Sequence, residues 1–337
     1  MSKFIMIGVI SAMALACSTI GVNAGPSEGN LHFSEFEKFV QKFEKKYEES
    51  EFRKRLEIFT ENFNQILHHN REAESGNRSY YLGIGPFADM TVNEYSNSFL
   101  NPYFTRGAVG CDEFKYTSSM DSVPTRMDWR EHNAVTDVKD QGQCGSCWSF
   151  STTGAVEGLV SIKQNDLTPL SEQQLVDCSR SYGNNGCYGG LMTSAFDYVM
   201  DNKGLCTETE YPYTAKGGTC QKCMADSDSF LTGCSEVSSG DENSVIQALS
   251  QQPLAVAIQA DTFDFQHYKN GVFNSTACYT GQLDHGVLLV AYDQDTMTIK
   301  NSWGSTWGDG GYITMARTDD QVGMCGVYLM ASFPRQD

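Results

Sequence analysis

The chain has 337 residues, of which 40% are hydrophobic and 20% are charged, a composition typical of globular rather than disordered proteins. This length is sufficient for about two domains with a substantial core. The 42 acidic and 24 basic side chains give a formal net charge of −18. Such a charge argues against nucleic acid and anionic membranes as partners, because both bind clustered Lys and Arg.

The first 24 residues have the pattern of a secretory signal peptide. Lys3 precedes the apolar stretch FIMIGVISAMALAC, and the small-residue pattern VNA comes directly before Gly25. The stretch is short for a membrane anchor, so we predict a signal peptide over 1–24 and an otherwise soluble, secretory-pathway protein. In that pathway most of the 12 cysteines are expected to form disulfides. The Asn-x-Ser/Thr sequons at Asn77 and Asn274 are predicted glycosylation sites.

Residues 31–70 carry apolar side chains at intervals of three and four, which predicts two surface helices of a small helical domain. Residues 75–125 lose this pattern and are rich in Gly, Ser, Asn and Pro. We predict a linker here that ends in TSSMDSVP, and exposed linkers of this kind are where proteases cut.

From Val123 onward, helices are predicted over 147–164, 171–178 and 191–202. After about residue 250 the pattern favours strands, in LAVAIQA, GVLLVAYD, MTIKNSW and GYITMAR. A helical half followed by a β half predicts an α+β domain with a cleft between two subdomains.

The segment QGQCGSCWSF contains Cys144 and Cys147, which allow three interpretations. A redox pair is expected beside a βαβ pattern, which is not evident here. A zinc site would need a second pair, but Cys220 and Cys223 lie much farther away than the roughly 15–20 residues typical of such sites. The third interpretation is a nucleophile, because the amino terminus of the predicted helix at Cys147 would stabilise a thiolate.

A thiolate nucleophile also needs an imidazole partner, and three histidines follow Val123. His132 and His267 lie in polar stretches and are predicted to be solvated. His285 directly precedes the apolar stretch GVLLVAY, so it is expected at the mouth of a buried strand. Asn301 ends the next predicted strand and could orient the ring of His285.

Three motifs, QGQCGSCW, LDHGVLLVAY and NSWGSTWGDGGY, together resemble the papain family of cysteine peptidases, in particular its cathepsin L-like members. The resemblance extends over nearly the whole chain after the signal peptide. It implies a papain-like α+β fold, with a helical left subdomain, a β-barrel-like right subdomain and a cleft between them. It also implies a cysteine endopeptidase made as a zymogen.

The resemblance assigns roles to individual residues. Cys147 would be the nucleophile, His285 its acid/base partner and Asn301 the residue that orients His285. Trp303 would shield the hydrogen bond between His285 and Asn301 from water. Gln141 would donate its side-chain N–H to the developing oxyanion, together with the backbone N–H of Cys147.

The resemblance also implies three disulfides that leave Cys147 free: Cys144–Cys187, Cys178–Cys220 and Cys278–Cys325. The pairing of Cys206, Cys223 and Cys234 stays open. For Cys111 we predict a free thiol or a bond lost on processing. The alternative is a Cys111 bridge that keeps a propeptide fragment in the cleft and makes the enzyme an aminopeptidase, as in cathepsin H.

The helical region resembles the propeptides of cathepsin L-like members. Gly83, Phe87 and Asp89 match one propeptide motif, although Gly85 stands where that motif has Asn. A longer spaced motif is matched by Glu51, Arg55, Phe59, Asn62, Ile66 and Asn70. The resemblance implies an inhibitory propeptide over 25–122, which runs through the cleft in the non-productive direction, and a peptidase domain over 123–337.

Positions that match the family's specificity pocket are apolar or small, which predicts a preference for Leu, Phe or Val two positions before the scissile bond. They are Leu191, Met192, Ala257, Leu283, Gly286 and Met330. Some relatives carry at the position of Met330 a Glu that accepts Arg. Gly189 and Gly190 would pair with the substrate backbone. No insertion resembles the occluding loop of cathepsin B, which favours an endopeptidase, and the short stretch after Tyr292 predicts a tight hairpin.

The resemblance implies peptide substrates, the chain's own propeptide as an intramolecular inhibitor, a monomer, and no cofactor or metal. The acidic excess continues after Val123, which favours a lysosome or acidic vacuole, with an extracellular location as the alternative. Two other functions compete with the peptidase. A silent binding relative would typically lack Cys147 or His285, and a thiol oxidoreductase would use Cys144 together with Cys147.

Overall fold

The structure is a computed structural model that describes residues 28–101, 104, 110–116, 123–278 and 282–336. The predicted signal peptide and the stretch TSSMDS of the predicted linker lie outside these residues. No helix within the described ranges is long and apolar enough to cross a membrane.

Two helices open the described chain, as the apolar spacing of residues 31–70 predicts: α1 (Glu28–Lys42) and α2 (Glu49–Glu74). They cross through a cluster of aromatic rings that includes Phe36 and Phe59, whose centroids lie 5.2 Å apart. On another side of α2, Asn62 donates to the carbonyls of Ala88 and Met90 at 2.9 and 3.0 Å, which fixes the following chain against the helix.

The described part of residues 75–125 contains regular elements where the sequence predicted a linker. It contains strand β1 (Tyr80–Leu82), helix α3 (Val92–Phe99) and strand β2 (Asp112–Phe114). Helix α3 begins with a reciprocal capping box between Thr91 and Glu94, a local signal that the composition of the segment conceals. The two strands are three residues long and form because they pair with strands far along the chain.

The helical subdomain contains α4 (Cys147–Gln164), α5 (Glu172–Cys178) and α6 (Met192–Asn202), which confirms the three predicted helices. Helix α4 is buried on all faces over its first four turns and packs directly on a strand of the other subdomain. A Cβ on Gly154 would lie 2.9 Å from the side chain of Leu288, so glycine permits this close approach.

The second subdomain is built on a sheet. Its elements are β3 (Met127–Asp128), β4 (Gly233–Val237), α7 (Glu242–Leu249), β5 (Leu254–Ile258), α8 (Phe263–Gln266), β6 (Tyr268–Phe273), β7 (His285–Tyr292), β8 (Thr296–Lys300), β9 (Tyr312–Ala316) and β10 (Ala331–Arg335). The strand order is β1-β6-β9-β8-β7-β5-β10-β4-β2, with β3 paired to β7. The β6–β9 and β4–β2 pairs are parallel and the other pairs are antiparallel.

Strands β7 and β8 form the tight hairpin predicted after Tyr292. Asp293 donates its backbone N–H to the carbonyl of Thr296 at 2.9 Å, and its carboxylate accepts the N–H of Asp295. The hairpin places the first residue of β7 and the residue after β8 at the same end of the sheet, next to the amino terminus of α4. The α+β architecture with a cleft between a helical and a sheet subdomain is therefore confirmed.

Candidate active site

Cys147 is the first residue of α4 and is completely buried. It is the single cysteine within the described ranges that forms no disulfide. Its Sγ accepts the backbone N–H of Gly286 at 3.3 Å. Burial raises the pKa of the thiol to about 12, although the N–H groups of Gly286 and Trp148 act in the opposite direction. With the predicted propeptide, called the prosegment from here on, in place, the thiol is therefore neutral.

His285 is the first residue of β7 and is also completely buried. Its Nε2 lies 2.8 Å from Oδ1 of Asn301, so Nε2 carries the proton and Nδ1 is left as the basic nitrogen. Asn301 is held in turn by the N–H of Ser302, which donates to the same oxygen at 2.8 Å. The indole of Trp303 stacks on the imidazole with a centroid distance of 4.5 Å. Burial lowers the pKa of His285 to about 4.

Gln141 is buried, and four hydrogen bonds fix its side chain. Its Oε1 accepts from Ser302 Oγ at 2.6 Å and from Trp303 Nε1 at 3.1 Å. Its Nε2 donates to the carbonyls of Cys144 at 3.0 Å and of Phe99, at the end of α3, at 2.9 Å. A carbonyl oxygen of the prosegment therefore occupies the amide N–H that the resemblance assigns to the oxyanion.

The prosegment crosses the cleft at Asn101, which is completely buried. Its backbone N–H donates to the carbonyl of Asp284 at 2.6 Å, and its Nδ2 donates to the carbonyl of Gly190 at 2.9 Å. Gly189 has a φ of +109°, and a Cβ there would lie 2.2 Å from Oδ1 of Asn101. Glycine at this position therefore lets another chain approach the enzyme's backbone closely.

The predicted pocket residues come together in the apolar cluster that also contains Cys147 and the prosegment residue Phe104. A Cβ on Gly286 would lie 3.3 Å from the tip of the Phe104 ring, so this ring fills the space beside Gly286. The other five predicted positions belong to the same cluster or pack against it: Leu191, Met192, Ala257, Leu283 and Met330.

Five disulfides are present among the described residues. Three have the pairing that the resemblance implies: Cys144–Cys187, Cys178–Cys220 and Cys278–Cys325. The remaining two are Cys206–Cys223 and Cys111–Cys234. The expectation of a free thiol at Cys111 is wrong, because the chain after the cleft runs beside Cys234. With Cys144 bonded, the structure offers one free thiol at this motif and no redox pair.

His267 is buried, and the prediction that it is solvated is wrong. It follows the short helix α8, which packs under the prosegment, and its backbone carbonyl accepts the N–H of Gly83 at 2.8 Å. Neither ring nitrogen has a hydrogen-bond partner, and burial lowers the pKa of the imidazole to about 3. His132 is exposed, as predicted, and so are Asn77 and Asn274 at the two sequons.

A buried ionic cluster lies beneath the site, and the sequence analysis missed it. Lys139 contacts Glu157 of α4 at 2.8 Å and Glu172 of α5 at 2.6 Å. Burial raises the pKa of Glu172 to about 7 and lowers that of Lys300 to about 8. Lys300 directly precedes Asn301, so the cluster supports the strand that carries Asn301. The position of Lys300 in a buried strand was the sequence signal that could have predicted a buried ionic partner.

Comparison with known sequences and structures gives a consistent result. Residues 123–335 match the family described as "Papain family cysteine protease", and residues 36–95 match the "Cathepsin propeptide inhibitor domain (I29)". Cathepsin L of Sarcophaga peregrina is 44% identical over 300 residues, covering 85% of this chain and 87% of that protein. Cysteine protease XCP2 of Arabidopsis thaliana is 43% identical over 312 residues, covering 89% of this chain and 85% of that protein. The structure of digestive procathepsin L 3 from Tenebrio molitor larval midgut has a TM-score of 0.80 and 41% identity, covering 91% of this chain and 99% of that one.

Proposed function

The chain belongs to the papain family of cysteine proteases and is the zymogen of a cysteine endopeptidase; from this premise we propose that Cys147 and His285 carry out its peptide-bond hydrolysis. The observation that carries the proposal is the adjacency of the Cys147 thiol to Gly286, the residue after His285, with His285 oriented by Asn301.

In acylation, Nδ1 of His285 takes the proton of the Cys147 thiol, and the sulfur attacks the carbonyl carbon of the substrate. The resulting oxyanion accepts hydrogen bonds from Nε2 of Gln141 and the backbone N–H of Cys147. The imidazolium then gives its proton to the leaving amine. In deacylation, His285 removes a proton from water, which attacks the thioester and releases the acid.

The prosegment inhibits this chemistry in two ways. It occupies the cleft through Asn101 and Phe104, and it excludes water from the two reacting side chains. The depressed pKa of His285, about 4, and the raised pKa of Cys147, about 12, both result from burial and disfavour an ion pair. Removal of the prosegment admits water, which stabilises the thiolate–imidazolium form. Trp303 continues to cover one face of the His285 ring after activation.

Apolar side chains in the pocket support a preference for Leu, Phe or Val two positions before the scissile bond. The ring of Phe104 beside Gly286 supports this preference, because an apolar prosegment side chain already fills that space. Gly189 and Gly190 would align the backbone of a substrate as they now align Asn101.

We also propose that the enzyme acts as a monomer in an acidic compartment of the secretory pathway or after secretion, with sugars on Asn77 and Asn274. The aminopeptidase alternative is less well supported, since it needs a Cys111-linked fragment in the cleft. Cys111 is bonded to Cys234 on β4, which is separated from β7 by two other strands, β5 and β10.

The experiment that tests the catalytic assignment titrates acid-matured enzyme with an epoxysuccinyl thiol-directed inhibitor and follows a fluorogenic peptide with Leu at the second position. We expect one thiol labelled per molecule and a loss of turnover of at least roughly 10⁴-fold in Cys147→Ala. Ser146→Ala, next to the nucleophile, serves as the matched control. Turnover retained by Cys147→Ala would refute the assignment, and no turnover in the folded wild-type enzyme would favour a silent relative.

A further inference from the structure

Residues 110–116, named here the tethered strand, lie inside the predicted propeptide but belong physically to the sheet of the peptidase domain. Cys111 is disulfide-bonded to Cys234 of β4, 123 residues farther along the chain. The next residues form β2, which pairs in parallel with β4 and aligns Asp112 with Ser235 and Phe114 with Val237.

Contacts on both sides of β2 extend this attachment. The carbonyl of Phe114 accepts the N–H of Ser238 at 3.0 Å, and the N–H of Tyr116 donates to Ser244 Oγ, in α7, at 2.8 Å. The Phe114 ring meets the edge of Phe333, in β10, with a centroid distance of 5.3 Å. At the start of the strand, the carboxylate of Asp112 forms an ion pair with Arg335.

The tethered strand lies far from the cleft that the inhibitory part of the prosegment blocks. It is the last strand in the order, whereas β7, which carries His285, lies in the middle of the sheet. Opening the cleft therefore does not require β2 to leave β4. Without β2, the buried strand β4 would become an edge strand, with the backbone N–H and C=O groups of one side unpaired.

We propose that the tethered strand stays with the active enzyme after the inhibitory part of the prosegment, residues 28–101 together with Phe104, has been removed. Either the activating cut falls before Gly110, so that the mature chain begins upstream of Cys111, or cuts on both sides leave a short disulfide-linked peptide. Each cut is a hydrolysis that consumes one water, and the disulfide, already present in the zymogen, is unchanged. This inference deepens the proposed function and rests on it, because it concerns how the same zymogen matures.

The proposal differs from a propeptide fragment that blocks the cleft. A retained strand at the far end of the sheet leaves the cleft open, so the enzyme that carries it remains an endopeptidase. Its role is to complete the sheet, and the disulfide makes that role sensitive to strong reductants. Activity assays of thiol enzymes contain reductant, so a doubly cut enzyme would lose the strand slowly under assay conditions.

The test begins with full-length proenzyme matured by two routes. Wild-type protein is allowed to process itself at acidic pH, and Cys147→Ala proenzyme is cut by added pepsin, which does not depend on the chain's own activity. Both products are mapped by mass spectrometry without reduction. We expect a peptide containing Cys111 linked to one containing Cys234 in both products. On reduction, the mass of the linked pair should disappear and the two separate peptides should appear.

The proposal is overturned if both mature products begin after residue 116 and carry Cys234 as an alkylatable thiol with no Cys111 peptide. Failure of the proposed function gives a different result, namely no self-processing and no peptide turnover while the pepsin product still retains the strand.

A paired variant tests the structural role. Cys111→Ser together with Cys234→Ser should lower the Tm of the acid-matured enzyme by roughly 5–10 °C, because a one-chain product loses a cross-link that closes a long loop and a doubly cut product loses the strand itself. Cys206→Ser with Cys223→Ser removes a disulfide that closes a much shorter loop, so it serves as the control and should cost less. An unchanged Tm in the first variant would overturn the stabilising role of the strand.

Discussion

Two parts of the same prosegment are attached to the enzyme by different kinds of contact. Residues 28–101 are held by hydrogen bonds and buried side chains, such as Asn101 on Gly190 and the Phe99 carbonyl on Gln141. Both parts also pair with strands of the sheet, β1 with β6 and β2 with β4, but among the described residues the tethered strand alone adds a disulfide. The difference indicates that the kind of contact, and not position along the chain, decides which part leaves on activation.

The largest effect is expected from a change in the pocket that the inhibitory part fills. Met330→Glu places a carboxylate beside the apolar cluster that contains Phe104. It should raise kcat/KM for Arg relative to Leu at the second position by about 100-fold, because the carboxylate pairs with the guanidinium. The same charge should weaken binding of the prosegment in the cleft, while residues 110–116 stay bound to the sheet. The measurement compares fluorogenic peptides with Arg and Leu, using the exposed Met224→Glu as the control. An unchanged ratio would refute the pocket assignment.

A pH-dependent difference between the two parts is expected at His267. Burial lowers the pKa of this imidazole from its ordinary value of 6.5 to about 3 in the zymogen, so the buried ring is favoured in its neutral form. The contribution to stability is present above about pH 6.5 and is lost as the pH falls toward 3. At pH 5 the loss is about 2 kcal/mol, or roughly 30-fold in the population of opened prosegment. Asp264 partly compensates by favouring the charged ring, and Lys269 of β6 packs on Gly83 nearby.

His267→Phe should therefore slow removal of residues 28–101 by roughly 30-fold at pH 5 and have little effect at pH 7.5. The measurement follows cleavage of Cys147→Ala proenzyme by added mature enzyme across this pH range. His132→Phe, at an exposed histidine, is the matched control. Superimposable pH profiles for His267→Phe and its parent would exclude this histidine as an acid trigger.

A smaller effect is expected from Asn101→Ala, which removes the side-chain hydrogen bond to the Gly190 carbonyl. Loss of one buried hydrogen bond should raise the residual turnover of the uncut zymogen by about 10-fold at pH 7.5. Asn64→Ala, on the exposed side of α2, should leave that turnover unchanged. Equal turnover in both variants would mean that Asn101 does not hold the prosegment in the cleft.

The smallest effect is expected from Asp112→Ala, which removes the ion pair with Arg335. The Asp112 side chain is 73% exposed, so the Tm of the mature enzyme should fall by about 2 °C or less. Lys115→Ala, at an exposed residue whose ion pair with Glu113 stays within residues 110–116, is the control. If Asp112→Ala alone released residues 110–116 from the oxidised enzyme, the disulfide would not be the main attachment.

The sequence predicted those parts of the molecule that local pattern determines. Apolar spacing located the helix that begins at Cys147, and the buried strand after His285 placed that ring at a strand end. The resemblance identified Asn301 and Gln141, whose side chains meet the others in the cleft. These features depend on periodicity or on motifs that are contiguous in the chain.

Other features depend on contacts between remote segments and leave little trace in local sequence. Strand β2 is three residues long and exists because β4 lies beside it. His267 is in a polar stretch and is nevertheless buried, with its ring against Phe263 and its carbonyl bonded to the prosegment residue Gly83. Lys139 and Glu172 are residue types usually found on the surface, but here they form a buried ion pair where two subdomains meet. Such placements follow from tertiary packing and not from propensity.

The complete burial of Cys147 also has a consequence for biosynthesis in an oxidising compartment. Thiol–disulfide exchange proceeds through the thiolate, and a thiol whose pKa is about 12 is ionised in roughly one molecule in 10⁵ at pH 7. While the prosegment covers it, Cys147, which alone among the cysteines of the described ranges forms no disulfide, can hardly attack the five disulfides or be oxidised. In the folded zymogen, burial thus keeps Cys147 from thiol–disulfide exchange, and the thiol becomes accessible when the cleft opens.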